Sequence, residues 1–123
     1  MSVHTRSQRL AQATFPRIQV RRNRMSEQQF EKYSRFAKKF PALIHTCGLA
    51  QSVSFALAKK ENEFVDDLAA VLEASGHPEV SSTSALQQQT HNLPLGSYLR
   101  LSRDAISAAA WLKRYVEAVQ EDS

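Results

Sequence analysis

This 123-residue chain has little from which to build a covalent or coordinated framework. It contains one cysteine, Cys47, so no internal disulfide forms, which fits a reducing, intracellular setting. The histidines His4, His45, His77 and His91 are scattered without the paired spacing of a zinc site. No glycine-rich phosphate loop and no G-x-S-x-G nucleophile elbow is present. No apolar run approaches the ~20 residues of a membrane span. Arginines interrupt the N-terminal stretch before any signal-like apolar core develops. Its arginine-rich start shares composition with organelle transit sequences, an alternative to a cytoplasmic location. These absences predict a protein with no catalytic residues, no metal, no cofactor and no membrane partner.

Acids are scarce in one half only. From Met1 to Lys60, 12 Lys/Arg face Glu27 and Glu31, a balance of +10. From Glu61 to Ser123, 4 Lys/Arg face 10 acids, a balance of −6. Such a division creates a field over one side that can hold a polyanion, while the other half can meet a basic neighbour. The alternative is a solvated surface whose charges merely segregate.

Glycine is also scarce, at three residues, and no sustained period-two alternation occurs. Apolar residues recur at three and four, the helical spacing. The pattern predicts an all-α fold, one domain over residues 1–123, with about five to six helices around a buried central helix. The first helix spans about Val3 to Asn23 and is kinked or restarted at Pro16. Ser26 and Gln29 form a capping-box pattern opening the second, whose apolar stripe is Phe30, Tyr33, Ala37 and Phe40. Pro41 suits the first turn of a third helix running to about Lys60, apolar nearly all round and therefore the central one. Within it, Gly48 marks a close helix approach or a local bend. A fourth helix covers about Asn62 to Ser75. The polar stretch GHPEVSSTS (76–84) reads as a mobile linker, a short helix begins near Ser84, and Pro94 opens a long last helix.

Three sets of residues invite a chemical reading. His45 and Cys47 could form a thiol site, but two residues on a helix point about 200° apart, and no carboxylate between Phe36 and Lys60 orients the histidine. They are expected to pack in the core. Asp66 and Asp67, near a helix start, are expected to compensate its dipole. The basic residues remain: Arg17, Arg21, Arg22, Arg24, Lys32, Arg35, Lys38 and Lys39 first, then Lys59, Lys60, Lys113 and Arg114. These residue types hold nucleic acid through phosphate charge. The aromatics of the second helix lie on its core-facing side, so base stacking is not expected.

Two blocks, AKKFPALIHTCGLAQSVSFALAK and YLRLSRDAISAAAWLKRYVEA, together with the TRSQRLAQ start, resemble the small-subunit family of the type III-B CRISPR Cmr RNA-guided effector complex. The first block carries K-K-F-P and then G-L-A; the second ends in A-A-W-L-K-R-Y. The resemblance implies a small helical, non-catalytic protein in antiviral defence, with copies stacked as an inner filament. Its partners would be other Cmr effector subunits, especially the backbone subunit, further copies of itself, guide RNA and target RNA. It transfers only Lys38, Lys39, Lys113 and Arg114 as basic candidates; the N-terminal arginines rest on charge alone. The alternative is a helical protein–protein adaptor whose basic face meets an acidic protein.

Overall fold

A computed structural model describes residues 5–121. Val3 and His4, where the sequence pattern starts the first helix, lie outside the described residues. Six α-helices occur, and there is no strand among the described residues: α1 (Arg6–Arg24), α2 (Glu27–Cys47), α3 (Leu49–Ala58), α4 (Asn62–Ala74), α5 (Thr83–Asn92) and α6 (Leu95–Glu121). A single 3₁₀ turn, Pro78–Val80, precedes α5. The chain is an all-α single-domain bundle.

The starts of α1, α2 and α5 are set by side-chain caps. Thr5 and Gln8 cap α1 reciprocally, and Ser26 and Gln29 do the same for α2 as the spacing predicts. Ser82, rather than Ser84, caps α5 by accepting from the Ala85 N–H. In α1 the chain runs through Pro16, which is exposed, so the carbonyl it leaves without a helical donor can face water.

Two expectations are corrected around Gly48. Pro41 does not open a helix; α2 continues through it, because Phe40 and Ile44 extend the buried stripe of Phe30, Tyr33 and Ala37 without a change of register. The break comes at Gly48, held at φ 81° and ψ 165°. A Cβ there would meet the Tyr98 hydroxyl at 3.8 Å, ordinary contact, so backbone conformation and not close approach requires glycine. Tyr98 then accepts from the Ala50 N–H at 3.1 Å, satisfying one unpaired donor of α3. Beyond Ile44 the final turn of α2 projects past the core. His45, Thr46 and Cys47 are therefore exposed, not packed inside.

The central position belongs to α4 rather than to residues 41–60. It touches every other helix and the 3₁₀ turn, and buries Phe64, Val65, Leu68, Ala69, Val71 and Leu72. Each such Leu or Phe contributes ~1.5–3 kcal/mol on burial. Along the 27 residues of α6, ~40 Å at 1.5 Å per residue, the small buried side chains Ala105, Ala108 and Ala109 allow α1 and α2 to pack closely. The segment 76–84 lies against this core. Val80 is buried, and His77 Nε2 sits 2.7 Å from Asp104 Oδ2 of α6.

Candidate nucleic-acid interface

Arg17 and Arg21, spaced by four on α1, project from one face toward α4. There they meet Asp67, whose side chain is 1% exposed. Arg17 Nε donates to Oδ1 at 2.7 Å; Arg21 holds both oxygens, from Nε at 2.9 Å and from its terminal nitrogen at 3.1 Å. The Tyr33 hydroxyl of α2 also donates to Oδ2. The bond to Asp67 raises the Arg21 pKa, and burial with the adjacent carboxylate pushes the Tyr33 phenol well above its usual 10.0. Asp67 thus joins α1, α2 and α4; dipole compensation is not its main part. Arg22 is half-buried and donates to the Val119 carbonyl near the end of α6.

The remaining basic candidates stay at the surface. On α2, Lys32, Arg35, Lys38 and Lys39 are all exposed, and they fan over ~120° of the helix, opposite the buried stripe. Two clefts flank them. One, of about 360 Å³, is lined by Arg24, Lys32, Lys60, Glu61 and Glu63 among others. The second, of about 660 Å³, brings Arg22, Arg35 and Lys38 beside Glu27 and Glu31. Arg35 pairs with Glu31 at 3.2 Å, an exposed helical pair that contributes little. Lys113 is half-buried and Arg114 exposed on α6, and they line neither cleft.

Lys39 and Lys59 bracket a pair of aromatic rings. Lys39 Nζ lies 5.7 Å from the Phe36 centroid and Lys59 Nζ 5.5 Å from that of Phe55. The two rings are stacked at 6.4 Å. Glu61 is ion-paired with Lys32 and lies within electrostatic reach of Lys39. Burial raises the Glu61 pKa, partly offset by Lys32, whose Nζ is 3.8 Å away. The ionised carboxylate therefore lowers stability as pH rises through its folded-state pKa, because the folded chain holds the proton longer than the unfolded one. Phe55 and Glu61 were not among the expected site residues. Phe55 sits in a run read as core, and nothing local in the sequence shows that α3 buries only one side.

A sequence model of the CRISPR-associated protein (Cas_Cmr5) family matches residues 6–119. The chain belongs to this family. Relatives of the Cas_Cmr5 family include the CRISPR system Cmr subunit Cmr5 of Thermus thermophilus, 32% identical and covering 98% of this chain and 100% of its own length. The crystal structure of a CRISPR-associated Cmr5 family protein from the same organism superposes with a TM-score of 0.80 at 31% identity, over 94% of this chain and 97% of that one. The small-subunit resemblance read from the two sequence blocks is to this same family. All twelve basic candidates fall inside the Cas_Cmr5 match, as do Phe55, Glu61 and Asp67. No helix among the described residues is long and apolar enough to cross a membrane.

Proposed function

We propose that this chain is a non-catalytic, cytoplasmic structural subunit of a type III-B Cmr ribonucleoprotein effector, facing guide and target RNA with its basic surface. The observation that carries this reading is the exposed strip Arg24, Lys32, Lys39, Lys59 and Lys60, drawn from α1, α2 and the α3–α4 turn. Phosphate binding needs charge at the surface, and these groups have it; Arg17 and Arg21 instead hold Asp67. Arg35 and Lys38 extend the surface into the second cleft. Further copies stack beside the backbone subunit, so the strip repeats along the RNA.

Replacing Arg24, Lys32, Lys39 and Lys60 by Gln in the assembled complex weakens RNA association. It also flattens the salt dependence, by about 0.7 in log–log slope per lost single-strand phosphate contact. Affinity measured at two salt concentrations decides it, and an unchanged slope removes this strip from the interface. A pull-down of another protein through the same lysines that survives nuclease treatment would point instead to an adaptor.

A further inference from the structure

Phe55 is 38% exposed although its run reads as core. Its ring lies nearly parallel to Phe36, at 17°. Phe36 is 3% exposed and is itself fixed by Phe64 at 5.4 Å and Phe40 at 5.6 Å. The exposed ring is therefore the outer member of an aromatic stack rooted in the core. A single exposed phenylalanine is ordinary on its own. Here two ammonium groups stand over the same ring pair, and a third follows at Lys60, which holds φ at 60°. Glycine would adopt that left-handed conformation without strain; lysine adds a positive charge to the turn.

We propose that Phe55, flanked by Lys39 and Lys59, is a stacking platform for an unpaired base of a single RNA strand. The inference rests on the RNA-facing reading above and adds to it the ligand's chemistry. A base takes the place over the ring that the flexible Lys59 ammonium holds here, and phosphates on either side of it meet the lysines, the combination by which single strands are held without sequence preference. An acidic peptide would use the lysines and leave the ring idle. A double helix, its bases stacked internally, would do the same.

The test uses the full chain at low salt with two labelled dodecamers, oligouridylate and an abasic strand of equal length, read by fluorescence anisotropy. Wild type binds oligouridylate about 10-fold more tightly than the abasic strand, the size of one base–aromatic stack. Phe55→Leu, which keeps apolar bulk without a π face, abolishes that difference, whereas Phe55→Trp retains it. Lys39→Gln with Lys59→Gln weakens both strands together. Equal binding of the two strands by wild type overturns the stacking platform and leaves the basic surface standing. Retained discrimination in Phe55→Leu also overturns it. Failure to bind either strand overturns the platform and leaves the RNA-facing reading to the measurement on the assembled complex.

Discussion

Asp66 and Asp67 are adjacent and chemically identical, yet one accepts from Thr83 at the surface and the other is enclosed by two guanidiniums and a phenol. The difference was available in the spacing. Asp67 lies three residues after Phe64 and four before Val71, on the row that α4 buries, whereas Asp66 is turned 100° away. Its partners could not be read the same way, because nothing local announces that α1 crosses α4 beside it. Removing one side of a buried charge cluster leaves the others unpaired, at a cost of ~3–5 kcal/mol. Arg17 and Arg21 keep 38% and 22% exposure, so they can recover some hydration. Asp67→Ala is therefore expected near the lower end, about 3 kcal/mol, by urea denaturation. Asp66→Ala should stay within about 0.5 kcal/mol. Equal losses in the two variants would mean that the cluster does not hold α1, α2 and α4 together.

At the level of helices, existence and type were legible from periodicity, and so were the capping box of α2 and the proline at the mouth of α6. The 41–60 region was not. Pro41 and Gly48 are both helix breakers by propensity, and only packing decides between them. Phe40 and Ile44, on either side of Pro41, are both buried, and this burial carries the helix past the lost hydrogen bond. After Ile44 no further α2 side chain reaches the core, so the chain can turn there. The same break explains why His45 and Cys47, expected inside, face solvent: they occupy the overhanging turn. At φ 81° and ψ 165°, Gly48 lies in a region open almost only to glycine, not in the left-handed helical well that asparagine tolerates. Gly48→Ala and Gly48→Asn are both expected to lose about 1–3 kcal/mol in thermal or urea unfolding. If asparagine rescues what alanine loses, the turn relaxes into the helical well and the reason given for glycine is wrong.

Across the whole molecule, the segregation of charge was plain in the sequence, but its division between inside and outside was not. Three acids of the second half, Glu61, Asp67 and Asp104, are buried, and each meets a basic residue of the first: Lys32, Arg17 with Arg21, and Arg6. Part of the asymmetry is thus consumed in folding; Lys32 stays exposed beside Glu61 and belongs also to the basic strip outside. Asp66 and Glu73 of α4 remain exposed on the acidic side. A surface basic on one side and acidic on another favours a heterologous, head-to-tail contact between copies, which extends into a filament when the rotation does not close. Asp67 cannot test this, since reversing it would break the core cluster. Asp66→Lys with Glu73→Lys leaves that cluster intact and reverses only exposed charge. In co-expressed complexes the double variant is expected to lower the number of copies retained, measured by native mass. The deficit should be greatest at low salt, where surface charges act over a longer range: the screening length is about 30 Å at 0.01 M ionic strength and about 8 Å at 0.15 M. An unchanged copy number at low salt would show that the acidic side of α4 takes no part in holding neighbouring copies, leaving shape and apolar contact to do so.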